Sequence, residues 1–163
     1  MPPKLNSMRL LDQRKVPYQV LEYPDHIRDA EQVAQALGLP SAMVYKTLVV
    51  QAATTAAPKK PYLVIIPSDC QLSLKKMARA AGVKKVKMAS FADAERLTGL
   101  KVGGISALAL AQKQWPVYMD SRAEALEEIV ISAGQRGLQI RTAVVALVHT
   151  LNAQMVDVAD PSK

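Results

Sequence analysis

Short strand-like runs and short helix-like runs follow one another irregularly along this chain. That irregularity constrains the fold more than any single residue does. Regular βαβ winding would space strands and helices evenly. Here hairpin-type connections dominate. The pattern predicts an α+β fold, with a curved, mixed or largely antiparallel sheet surrounded by short helices.

The individual elements are read from periodicity and punctuation. Residues 4–15 place Leu5, Met8 and Leu11 at helical spacing, and Pro17 ends the run. Residues 18–23 alternate like a short strand. Asp29 reads as an N-cap with Gln32 in the capping-box position; Val33 and Leu37 face inward, and Gly38 and Pro40 stop the helix. Residues 44–50 form a strand, residues 52–61 a surface loop, and residues 62–66 a second strand antiparallel to the first. Leu74, Met77 and Ala81 mark the buried face of a helix closed by Gly82. Further along are a short strand at 83–88, a helix from Ser90 to Gly99, and a Gly-rich turn at 102–106. The remainder reads as strands at 115–119, 129–131 and 138–141, an acidic helix at 123–128, a tight connection at 132–137, a helix at 144–151 and a last strand at 155–158. No repeat, linker or second domain is visible, so residues 1–163 are expected to form one domain.

Composition narrows the function. Half of the 163 residues are hydrophobic, enough for a sizeable core, but only 4% are aromatic. That scarcity argues against base-stacking platforms of the single-strand-binding type. The net charge of +7 favours an anionic partner, with nucleic acid the leading candidate. Between Asp69 and Asp93 there is no acid, but there are Lys75, Lys76, Arg79, Lys84, Lys85 and Lys87. These are expected to face a polyanion; the plainer alternative is a solvated surface. A single cysteine, Cys70, excludes an internal disulfide and a cysteine-based zinc cluster, and His26 and His149 lack metal-ligand spacing. No metal and no cofactor are expected. The N-terminus lacks the apolar core of a signal peptide, and no apolar run reaches the roughly 18 residues needed to span a bilayer. No membrane association and a cytoplasmic location are expected.

Three segments carry candidate chemistry. In the first, Lys46 interrupts an otherwise apolar and β-branched strand, Val44-Tyr45-Lys46-Thr47-Leu48-Val49-Val50. Strand alternation puts it on one face with Val44, Leu48 and Val50. A lysine there loses hydration and calls for an anionic partner, which the neighbouring sequence lacks. Alternatively its stem packs at a sheet edge while the ammonium reaches water. The second segment, Gly103-Gly104-Ile105-Ser106, is neither a P-loop nor a dinucleotide fingerprint. Its glycines supply turn geometry and allow backbone amides to approach a carbonyl oxygen or phosphate. Ser106 has no nearby histidine to act as its base, so it reads as a positioning group. The third is the connection from Ser132 to Gly137. Cys70, before the basic helix, could have its thiol pKa lowered by positive charge. It also lacks a histidine partner and reads as structural.

These segments, together with Gln71-Leu72-Ser73-Leu74-Lys75-Lys76 and Arg136-Gly137-Leu138, resemble the YbaK family of free-standing aminoacyl-tRNA deacylases. Those proteins are relatives of the editing domain inserted in bacterial prolyl-tRNA synthetases. The resemblance covers nearly the whole chain and is strongest to the branch acting on Cys-tRNA(Pro). It implies an enzyme whose partner is mischarged tRNA(Pro), with prolyl-tRNA synthetase an open second partner. In that branch the thiol of the bound cysteine attacks its own ester. Lys46 matches the family's essential lysine, and Tyr23, Thr47, Gly103, Gly104, Ser106 and Ser132 match pocket positions; Tyr45 is taken with them. The chain departs from the family pattern at Ala107 (usually proline), Ala109 (usually glycine) and Gln139 (usually aspartate). These departures leave Ala-tRNA(Pro) as an alternative substrate and a non-catalytic tRNA- or synthetase-binding module as an alternative class.

Overall fold

The computed structural model describes residues 3–53 and 60–162. The loop expected over 52–61 falls largely outside the described residues, as do Met1 and Pro2.

The helices are α1 (Asn6–Gln13), α2 (Ala30–Leu37), α3 (Leu74–Ala81), α4 (Phe91–Thr98) and α5 (Val144–Leu151). Three have both ends written locally. The side chains of Asp29, Ser73 and Ser90 accept hydrogen bonds from the backbone N–H groups of Gln32, Lys76 and Asp93. These satisfy donors that a helix start leaves orphaned. Gly38, Gly82 and Gly99 then leave each helix in the left-handed region.

The strands are β1 (Tyr18–Glu22), β2 (Tyr45–Ala52), β3 (Tyr62–Pro67), β4 (Cys70–Leu72), β5 (Val86–Met88), β6 (Val117–Asp120), β7 (Glu128–Ser132), β8 (Leu138–Ala143), β9 (Gln154–Val156) and β10 (Ala159–Pro161). A five-stranded sheet runs in the order β5-β2-β3-β6-β9, a three-stranded sheet in the order β1-β8-β7, and β10 pairs with β4. The β3–β6 and β6–β9 ladders are parallel and the others antiparallel, so the arrangement is mixed, as expected for this α+β chain.

The large sheet separates two cores. Tyr45 and Val49 of β2 join the cluster of Leu63, Ile65, Met119 and the helices α1 and α5. Val50, with Leu48 beside it, joins Val64, Ile66, Tyr118 and Met77 of α3. A strand covered on both faces needs apolar residues at both parities, which is why β2 and β3 read as continuous apolar runs.

Some expectations change. Leu74 is exposed; α3 buries Met77, as expected, together with Ala78. The acidic helix expected at 123–128 is a 3-10 turn, Ser121–Ala125, before β7 begins at Glu128. The last strand, expected at 155–158, is β9 and ends at Val156; β10, divided from it, and β4 lack any counterpart in the sequence reading. Asp120 explains the division. It is fully buried, and its Oδ1 accepts from the backbone N–H groups of Val158 at 3.1 Å and Ala159 at 2.9 Å. Its Oδ2 accepts from the backbone and guanidinium of Arg122. That side chain turns the chain after β9 and delivers β10 to β4.

Candidate active site

β2 is bonded along one edge to β3 over Tyr45–Val50, but its other edge is interrupted. Near one end the Val130 N–H of β7 donates to the Met43 carbonyl. Near the other, the Ala89 N–H donates to Val49, and β5 takes over at Val50. Among the described residues no strand covers the stretch between. Peptide groups on this edge alternate by two, so those of Tyr45 and Thr47 point into the opening.

A cavity of about 590 Å³ occupies that opening, within the range of small-molecule sites. Five successive β2 residues, Tyr45 to Val49, border it. Successive side chains lie on opposite faces of a strand, so a continuous border of this kind presents the strand's edge. The ends of β5 and β7 contribute Met88, Ala89 and Ser132, and β8 contributes Gln139. The remaining wall comes from the start of α2, from α4, and from the glycine turn with Arg136.

The polar inventory of this cavity is unusual. Thr47 Oγ1 and Gln139 Oε1 are buried without a hydrogen-bond partner. Buried polar atoms are normally paired, so each marks a place for a ligand atom or water. Lys46 is half-buried, and no carboxylate lies within ion-pair distance among the described residues. Two guanidinium residues absent from the sequence prediction, Arg28 and Arg136, also border the cavity. Arg136 Nε donates to the Val102 carbonyl at 2.7 Å. The two carboxylates on the wall have internal roles: Asp29 caps α2, and Glu95 accepts from the Val102 N–H at 2.8 Å. Arg136 lies in a connection that the sequence reading flagged, whereas nothing in the sequence marks Arg28.

Tyr45, Lys46, Thr47, Gly103 and Ser132 therefore meet at one cavity. Gly104, Ser106 and Tyr23 do not border it. The Gly104 N–H donates within its own turn to the Lys101 carbonyl at 2.8 Å, so it is not free to hold a developing oxyanion. A Cβ there would lie 2.9 Å from the Arg136 backbone nitrogen, which explains the glycine by packing. Ser106 is fully buried, and its Oγ accepts from the Ala109 N–H. Tyr23 is buried beside a second hollow, across Arg136 and Gly137. Ser132 Oγ accepts from the Gly134 N–H at 3.1 Å while it borders the main cavity.

The aminoacyl-tRNA editing domain family matches this chain over residues 24–149. The chain belongs to that family. A protein of Enterococcus faecalis named "Putative Cys-tRNA(Pro)/Cys-tRNA(Cys) deacylase EbsC" is 39% identical over 158 residues, 95% of this chain and 93% of that protein. A crystal structure of a "putative trans-editing enzyme for prolyl tRNA synthetase" superposes with a TM-score of 0.80 at 24% identity, covering 98% of this chain and 99% of that one. A proline–tRNA ligase of Caldicellulosiruptor bescii is 25% identical over 73% of this chain, which spans 19% of the ligase's length. The editing-domain fold and the aminoacyl-tRNA deacylase class expected from the motifs are both borne out.

One sequence alternative fails and one sequence expectation changes in this editing domain. Cys70 is buried away from the cavity, and its thiol donates to Asp69 Oδ1 at 3.6 Å. Burial, then the Asp69 charge, pushes the thiol pKa up rather than down. Lys76 is not without counter-charge: its ammonium pairs with Asp157 at 3.4 Å and Asp160 at 2.9 Å, both supplied by the distant C-terminal segment. Lys75, Arg79, Lys84, Lys85 and Lys87 remain exposed on α3 and around β5, the strand whose last residue, Met88, borders the cavity. No group of three or more potential metal ligands occurs among the described residues, and no described helix is long and apolar enough to cross a membrane.

Proposed function

We propose that this protein acts in trans on mischarged tRNA(Pro) in the cytoplasm and removes cysteine from it. The carrying observation is the edge cavity, where buried, unpaired Thr47 Oγ1 and Gln139 Oε1 stand beside half-buried Lys46. An aminoacylated adenosine offers what these groups lack: donors on the amino group, a polar ester, and an anionic phosphate. The name of the Enterococcus relative supports cysteine as the amino acid.

In this mechanism the enzyme supplies no nucleophile. The substrate's sulfur attacks its own ester carbonyl carbon, and the C–O bond to the ribose breaks. The thiol proton ends on the ribose oxygen, and cysteine leaves as a four-membered thiolactone that water then opens. Gly103 is the member of the glycine pair placed on the cavity wall, and its amide takes the oxyanion role. Lys46 holds the phosphate or ribose end. Gln139 accepts a hydrogen bond from the substrate's amino group.

The test is deacylation of tRNA(Pro) charged with cysteine, serine, alanine or proline. Cysteine should be removed fastest, and serine slowly because it lacks the thiol. Equal serine and cysteine rates would exclude thiol assistance, and faster alanine removal would reassign the substrate. Lys46→Ala should reduce single-turnover cleavage on the order of a hundredfold, about 3 kcal/mol of transition-state binding. A folded Lys46→Ala protein with wild-type turnover would refute the lysine's role.

A further inference from the structure

Four large hydrophobic side chains are exposed among the described residues, and two of them, Met88 and Phe91, border the same cavity. Phe91 is the chain's only phenylalanine and is 75% exposed; Met88 is 43% exposed. Phe91 is the first residue of α4, held by the Ser90 cap, while Met88 ends β5. Neither position belongs to a core cluster: each leaves apolar surface facing water at the mouth of the cavity.

The charge around this rim points to one kind of occupant. Lys84, Lys85 and Lys87 are exposed immediately before it in sequence, and α3, carrying exposed Lys75 and Arg79, packs against β5. The nearby Asp93 is paired with Arg96 at 3.1 Å. An apolar, aromatic rim preceded by lysines with no ion-pair partner among the described residues suits a nucleobase attached to a phosphate chain.

We infer that Phe91, supported by Met88, stacks the terminal base of the RNA 3′ end while the aminoacyl group enters the cavity. This rests on the proposed function and deepens it by assigning a base-recognition subsite. The low aromatic content argues against a platform for several bases; a single base needs a single ring. Exposed Phe91 is free of structural duties, so its replacement tests recognition without unfolding the protein.

The experiment uses an uncharged RNA minihelix with 2-aminopurine in place of its 3′-terminal adenine. Binding to the wild-type protein should quench the fluorophore. Phe91→Ala should abolish the quench and weaken binding about tenfold, and Phe91→Tyr should retain both. A minihelix lacking the terminal nucleotide should bind wild type and Phe91→Ala equally. Unchanged quenching and affinity in Phe91→Ala would overturn the inference and leave the rim facing a protein partner instead. Equal weakening toward both minihelices would also overturn it, because the effect would not involve the terminal base. The RNA carries no amino acid, so failure of the cysteine assignment would not alter these readouts.

Discussion

Asp120 and Thr47 lie two strands apart in one sheet and illustrate opposite uses of a buried polar atom. Around Asp120 every oxygen has protein partners: two backbone amides of the C-terminal segment on one side, and the backbone and side chain of Arg122 on the other. Around Thr47 Oγ1 and Gln139 Oε1 the described residues supply none. A satisfied buried group determines where chain segments go, whereas an unsatisfied one keeps a cost open that a ligand can cancel. The first region serves folding, and under the proposed function the second serves binding.

The largest effect that sharpens this contrast is Asp120→Ala. It leaves the Val158 and Ala159 amides and the Arg122 guanidinium without their acceptor, so chemical denaturation should show a loss of about 3–5 kcal/mol. Thr47→Val is the converse. Deacylation should fall about tenfold, yet stability should stay level or rise by up to about 1 kcal/mol, because an unpaired buried hydroxyl becomes a methyl group. A stability loss above that size would erase the distinction between the two regions.

Smaller effects test the surface. Replacing Lys75, Arg79 and Lys85 together with Gln should lower the slope of log affinity for tRNA against log salt by roughly 2–3, about one per lost phosphate contact. Lys76→Gln should leave that slope unchanged, because its ammonium is held by Asp157 and Asp160, and should cost at most about 1 kcal/mol of stability. The least change is expected from Cys70→Ser, with deacylation within about twofold of wild type. Its mark should appear only at alkaline pH. The folded thiol titrates above its ordinary value of 9.0, so above that pH the unfolded chain holds fewer protons than the folded one. Wild-type stability should therefore fall as pH rises past about 9, and fall less steeply in Cys70→Ser.

Local devices were legible in the sequence because they need only neighbours. The Asp29 and Ser90 caps and the Gly38, Gly82 and Gly99 exits fall where capping chemistry places them. β4 and β10 were illegible because three-residue strands carry little pattern. Their pairing depends on Asp120, which is distant in sequence from both partners. Within the site, Lys46 announces itself as a charge inside an apolar strand. The opening beside it leaves no such trace. It exists because β5 and β7 stop short of each other along β2, a relation among three strands that no single segment records. Ser106 and Gly104, which do not border the cavity, show a related limit. Motif spacing locates the glycine turn, but only the folded turn reveals which amide and hydroxyl it consumes itself.

An exposed strand edge ordinarily invites a strand from another molecule, and proteins guard such edges against aggregation. The uncovered part of β2 lies between the Val130 contact and the β5 ladder, only a few residues long and bounded at both ends. A foreign strand would collide with β5 or β7 before it could form a ladder of useful length. The molecule can thus hold peptide groups open for a small ligand while remaining closed to its own kind.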